Sequence, residues 1–168
     1  MTFTIRNINE HDLPEVDRLQ FLAYGDDFLE DREVLLDKIY HGQESSFVLI
    51  NDANPSELMG YCLSHAYPKN KVPPLNRLLL QPKVQSARHW YLHDLALVPS
   101  VRGQGTAQQL LEHLFNFISD MGCQSIGLIA VQNSVGFWQR YGFSVAEKQP
   151  DLASYGWDAR YMVKEELE

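Results

Sequence analysis

The sequence predicts a mixed α/β fold of the α+β kind, and three observations carry the prediction. Segments with two-residue hydrophobic alternation take turns with segments of helical spacing, in the order β-α-α-β-β-β-α-β-α-β-β. Some strands are joined by short turn clusters, as antiparallel hairpins are, while one strand–helix–strand passage is long enough for a parallel crossover. The 168 residues are 45% apolar and 21% charged, which is enough for a packed core. No internal repeat or compositional break divides them, so residues 1–168 read as one domain.

Each element has its own signal. Phe3, Ile5 and Ile8 mark a first strand over about residues 2–7, and Asn9-Glu10-His11-Asp12 supplies cap residues for a helix bearing Leu13, Val16, Leu19, Phe21 and Leu22. Gly25 ends it. A second helix over Asp31–Tyr40 sets Val34, Leu35, Leu36 and Ile39 on one side, and Gly42 closes it. Ser46–Ile50 and Leu58–Ala66 form an antiparallel pair around the turn cluster Asn51–Ser56. Pro68, Pro73, Pro74 and Pro82 rule out a long regular element over 68–88, so this stretch is a long loop of the functional or mobile type. A fourth strand over His89–Val98 leads to a third helix over Thr106–Met121, which ends at Gly122. Ser125–Val131 is a strand, Ser134–Tyr141 a short helix stopped by Gly142, and Phe143–Glu147 with Ala159–Lys164 a final strand pair.

Composition excludes several function classes. Fourteen basic residues against 22 acidic ones give a net charge of −8, and no Lys/Arg cluster offers a nucleic acid a basic face. The N-terminus lacks a signal-peptide pattern and no apolar run spans a membrane, so a cytoplasmic protein with no membrane contact is expected. Cys62 and Cys123 lie in apolar segments without partner spacing and read as free buried thiols. His11, His41, His65, His89 and His113 lack metal-ligand spacing, and no metal is expected.

The most informative stretch is residues 92–114, where an apolar strand meets a proline, then Arg102-Gly103-Gln104-Gly105, then an amphipathic helix. A helix entered through glycines leaves backbone N–H groups unpaired at its positive end, which suits an anion such as phosphate. The same residues also make an ordinary strand-to-helix turn. No Gly-Lys-Ser/Thr follows, and the third glycine of a dinucleotide fingerprint is missing, so two familiar phosphate motifs fail.

Arg102-Gly103-Gln104-Gly105-Thr106-Ala107 resembles the Arg/Gln-x-x-Gly-x-Gly/Ala signature of the GCN5-related N-acetyltransferases. Phe137-Trp138-Gln139-Arg140-Tyr141-Gly142-Phe143 resembles the closing helix and Gly-Phe pair of that family. The resemblance implies a mostly antiparallel sheet splayed between strands four and five, flanked by about four helices, with acetyl-CoA as co-substrate in the gap. By that likeness the backbone of Leu95, Ala96, Leu97 and Val98 holds the pantetheine and thioester, Arg102–Ala107 the pyrophosphate, and Asn133, Phe137 and Trp138 the other side of the arm. The implied reaction is direct attack by a primary amine of a small molecule or peptide. It leaves a homodimer open.

Proton-moving residues are candidates on chemical type. Leu92-His93-Asp94-Leu95-Ala96-Leu97 resembles the strand of the arylalkylamine branch, in which a histidine at the position of His93 helps to remove the amine proton. Asp94 is the alternative, acting through water. Adjacent strand residues point to opposite faces, so one of the two is expected in the pocket. Trp138 stands where the family carries a tyrosine, and an indole N–H is no practical proton source. Tyr141 and Ser134 are then the candidate acids, unless the thiolate leaves unaided. Tyr24, Asp26, Asp27 and Phe28 sit where the family often builds its acceptor site, and the acids there favour a cationic amine unless they only solvate a loop. Tyr155, Trp157 and Tyr161 either line that pocket or pack on the core. An acyl-CoA-binding sensor without turnover, and a nucleotide-phosphate protein using the same turn, are the competing functions.

Overall fold

A computed structural model of the chain describes residues 1–84 and 86–167. Seven strands form one sheet: β1 (Phe3–Asn7), β2 (Phe47–Asn51), β3 (Asn54–Ala66), β4 (His89–Leu97), β5 (Ser125–Ala130), β6 (Ser144–Val145) and β7 (Arg160–Lys164), in the spatial order β1-β2-β3-β4-β5-β7-β6. The helices are α1 (Leu13–Tyr24), α2 (Arg32–Gly42), α3 (Thr106–Asp120) and α4 (Val135–Gln139). All pairings are antiparallel except β4–β5, which α3 connects as a crossover. β3 begins earlier than expected, at Asn54, and β6 is shorter. β7 inserts between β5 and β6, so the final strand pair lies beyond β5 with the later strand inside.

The parallel pair sets up everything else. It holds for three residue pairs, His89–Ser125, Trp90–Ile126 and Tyr91–Gly127, and then the strands part. On its other edge β4 stays paired to β3 out to Leu97, so the unpaired edge over residues 92–97 opens onto a gap. The sheet is thus splayed between β4 and β5.

Helices cover both faces. Tyr61 turns toward α1, where its hydroxyl shares Asp94 with Tyr24, while Phe47, paired with the next residue Cys62, stacks edge-on against Phe117 and His113 of α3. The amphipathic α3 buries Leu110, Leu111, Leu114 and Ile118, four residues at helical spacing. Cys62 and Cys123 are buried and unbridged.

Two local details differ from a simple reading of the sequence. Gly42 does not terminate α2 by a left-handed turn; it is the last helical residue, and a Cβ there would sit 1.7 Å from the Ser64 carbonyl oxygen. Residues 68–88 carry no helix or strand among those described, yet they are strapped to the body. Asn76 and Leu79 donate backbone N–H groups to Glu30 and Asp37, Lys38 donates to the Arg77 carbonyl, and Tyr155 to that of Pro73. Side chains of α2 and its entry, with Tyr155, satisfy backbone groups for which a proline-rich stretch has few partners of its own.

Candidate active site

A cleft of 690 Å³ follows the gap. One side is the free edge of β4. Val98 gives its N–H to the Met59 carbonyl on the β3 side, whereas the Leu97 carbonyl accepts from Arg102 Nε at 3.2 Å and the Leu95 carbonyl lies 3.4 Å from the Tyr24 hydroxyl. Backbone polarity alternates along a strand, so Leu95 and Leu97 present their groups to the gap while Ala96 and Val98 bond to β3. Leu95, Ala96 and Leu97 line the cleft, and Val98 does not.

The far end is the glycine turn. Gly105 is the N-cap of α3 with φ +79, a left-handed conformation that a side chain strains, and it offers no side-chain oxygen to the helix. No side chain among the described residues caps the first N–H groups of α3, and this helix end lines the cleft together with Arg102. The turn is held from behind, by Thr106 Oγ1 on the Val101 carbonyl at 2.8 Å and by the Gln104 side chain on the Ser100 carbonyl at 2.7 Å. Arg102, Gly103, Gly105, Thr106 and Ala107 line the cleft; the Gln104 side chain turns back to the chain instead.

The opposite wall is α4 and the turn before it. Phe137, Trp138 and Tyr141 form an aromatic cluster, with Phe137 4.9 Å from Trp138 and 5.2 Å from Tyr141 between ring centres. Ser134 and Gln132 line the cleft with them, while Asn133 stays exposed outside it. Gln132 and Asn133 both have positive φ (+52 and +62), and this double left-handed step swings the chain from β5 into α4.

Near the middle, β4 carries a bulge. Leu63 pairs with Asp94 and Ser64 with Leu92, which leaves His93 as the additional residue. Strict alternation therefore fails here, and His93 and Asp94 both line the cleft and a smaller side cavity of 50 Å³. The expectation that one of them faces away is corrected by this bulge.

The two residues have different partners. Both Asp94 oxygens accept phenol protons, from Tyr24 at 2.5 Å and from Tyr61. Burial lifts the Asp94 carboxyl above its ordinary range even against these hydrogen bonds, and burial beside Asp94 pushes both tyrosines well above theirs. His93 contacts Glu30 through Nε2, and its Nδ1 is buried with no partner among the described residues. Glu30 in turn accepts from Lys38 Nζ at 2.9 Å and from the Asn76 N–H at 2.9 Å. Burial would raise the Glu30 carboxyl, but His93 and Lys38 pull it well below the usual carboxylate range.

Tyr24 and Phe28 line the side cavity; Asp26 and Asp27 do not, because Gly25 turns the chain out of α1 and leaves them in an exposed turn. Tyr155 lines the side cavity and Tyr161 is buried in β7, while Trp157 is 91% exposed. Glu30, Lys38, Tyr61 and Asn76 carry no motif that sequence reasoning could have singled out. Among the described residues no helix is long and apolar enough to cross a membrane, and no cluster has the make-up of a metal site.

Comparison with known proteins follows the same lines. The model of the Acetyltransferase (GNAT) family matches residues 8–143. No curated protein matches the chain significantly. Among solved structures, the fold is similar to a GNAT-like decarboxylase, GphF, in complex with isobutyryl-CoA (TM-score 0.78, 15% identity, 98% of this chain and 100% of that one). It is similar to Ard1 from Thermoplasma volcanium (0.76, 17%, 100% of each). It is also similar to the PaiA N-acetyltransferase from Thermoplasma acidophilum in complex with coenzyme A (0.70, 19%, 98% and 99%).

Proposed function

The chain belongs to the GNAT acetyltransferase family, and from that premise we propose that residues 1–168 act as a single N-acetyltransferase domain for a primary amine of a small molecule or peptide. The observation that carries the reading is the single cleft that joins an uncapped helix N-terminus to a buried histidine with a free ring nitrogen. An anion site at one end and a proton acceptor at the other are the two functions that acetyl transfer from CoA requires.

The residues present fit the co-substrate. Arg102 and the N–H groups of Gly103–Ala107, Gln104 included, would hold its pyrophosphate, and Phe137 and Trp138 would flank the pantetheine. Acetyl-CoA supplies a thioester, at which the amine forms the N–C bond as the C–S bond breaks. The gap-facing N–H groups of Leu95 and Leu97 are donors for the carbonyl oxygen as charge develops. His93 takes the amine proton through Nδ1. Asp94 is the weaker base, since two phenols already occupy its oxygens. Tyr141 and Ser134 carry the hydroxyls on the thiolate side of the cleft. Tyr24 and Phe28, and not Asp26 or Asp27, border the amine's approach.

A second reading rests on Trp138, which fills the family's tyrosine position with a side chain that supplies no proton. It makes the chain an acyl-CoA sensor without turnover. The test is incubation of the purified protein with acetyl-CoA and a panel of primary amines and short peptides, following free thiol and product mass. Amine-dependent thiol release with an acetylated product is the expected result. CoA binding without release above a water-only control for every amine gives the sensor, and preferential binding of ATP over CoA gives a nucleotide protein.

A further inference from the structure

Glu30 reaches the site from outside every motif of the chain, and an unusual amount of structure fixes it. Its backbone is clamped by one side chain: Gln20 Nε2 donates to the Glu30 carbonyl at 2.8 Å, and Gln20 Oε1 accepts the Glu30 N–H at 3.1 Å. Its carboxylate divides its work. Oε2 accepts from Lys38 and from the Asn76 N–H, while Oε1 meets His93. The side chains of Lys38, Glu30 and His93 are 0%, 4% and 5% exposed. A buried charge cluster of this kind gives little net stability compared with apolar residues of the same size, so its presence inside a cleft calls for a chemical use.

We infer that Glu30 is a positioning residue for the proton transfer: it binds His93 through Nε2–H, which leaves the lone pair on Nδ1, the nitrogen that no other group among the described residues engages. The inference rests on the acetyltransfer reading for its use, though not for its geometry. A carboxylate can only accept, so the nitrogen it touches must carry the hydrogen, and in a neutral ring the other nitrogen is then the base. As His93 takes the amine proton, the imidazolium forms directly against a negative charge. Lys38 keeps that charge on Glu30 by occupying the other oxygen.

The remaining groups around the ring define the pH response. Asp94, on the same strand, favours the imidazolium. Lys38 of α2 opposes it from behind Glu30. His65 of β3, whose ring centre lies 6.1 Å away, stays neutral because burial pulls it down to about 3. Tyr24 of α1, Tyr91 of β4 and Tyr155 stay neutral too, held above their ordinary range by burial first. Removing the Glu30 charge therefore leaves the imidazolium without its anionic partner, with the Lys38 cation behind the neutral side chain.

Two measurements test this on the whole protein. In the ¹⁵N-histidine spectrum, assigned against His93→Gln, the wild type is expected to show His93 protonated at Nε2 and bare at Nδ1 near neutral pH. For Glu30→Gln, kcat is expected to fall about tenfold or more, with the KM for acetyl-CoA unchanged and the acid limb of the pH–rate profile moved to lower pH. A merely structural Glu30 would alter stability and leave that limb in place. An Nδ1–H tautomer in the wild type, a ring doubly protonated at neutral pH, or an unmoved acid limb in the variant would each overturn the inference. If Glu30→Gln does not fold, the wild-type spectrum decides alone. That spectrum needs no turnover, so a wild type inert toward every amine would sink the acetyltransfer reading and leave the tautomer measurable.

Discussion

The two ends of the cleft are built on opposite plans. The glycine turn is contiguous in sequence, presents backbone N–H groups, and is exposed; its side chains bond backward to hold the loop. The histidine end is assembled from α1, the α1–α2 connection, α2, β4 and the 68–88 loop, presents side chains, and is buried. A backbone anion site can be made by local conformation alone, because any residue supplies an N–H. A buried proton acceptor needs specific groups from distant parts of the chain, each with its own partner. The first plan is cheap to build and easy to spoil for a ligand; the second is costly to build and damages the fold when disturbed.

Substitutions at the two ends should separate accordingly. The largest effect is expected for Lys38→Met, which strands the Glu30 carboxylate in the interior; urea unfolding should show a loss of about 3–5 kcal/mol. A loss near zero would mean that water or another cation reaches Glu30, and the contrast between the ends would fail. Gly105→Glu places a carboxylate at the positive end of α3. Calorimetry should show CoA affinity down by at least about a hundredfold, or roughly 2.7 kcal/mol, while the left-handed φ costs the fold only about 1–2 kcal/mol.

The histidine end should also respond to acid. Burial and the neighbouring His93 hold His65 down at about 3, below its unfolded value of about 6.5. The sign is fixed by that order: at intermediate pH the unfolded chain binds a proton that the folded ring refuses, so stability is complete above about pH 6.5 and declines as the pH falls toward 3. His65→Phe should flatten that part of the urea-midpoint profile. The Ala66 carbonyl keeps a donor in the variant, from Gln81 at 2.8 Å. The smallest effect is expected for Trp138→Tyr, which returns a hydroxyl to the thiolate side and should raise kcat by about threefold; an unchanged rate would show that the thiolate leaves without help.

The same division explains what was legible in the sequence. Element order, the crossover through α3 and the glycine turn before it are written in local spacing, and the structure follows these elements to within a few residues. The bulge at His93 is not, because it arises from the register of β4 on β3, a relation between residues about thirty apart. Glu30 looks like one more acid in Glu30-Asp31-Arg32-Glu33; only folding brings Lys38, Asn76 and His93 around it. Asp26 and Asp27 show the converse, acids of the right type and place in sequence that the Gly25 turn leaves in water.

The three-pair seam between β4 and β5 has a use of its own. β1–β4 and α3 lie before Gly122, and β5–β7 with α4 lie after it, so each piece of chain owns one half-sheet and one wall of the cleft. A cut at that loop would give two fragments joined by three backbone pairs and by the core that both halves share. In engineering terms the Gly122 loop is the natural place to split the chain, since the cut would part the half-sheets along their weakest backbone seam.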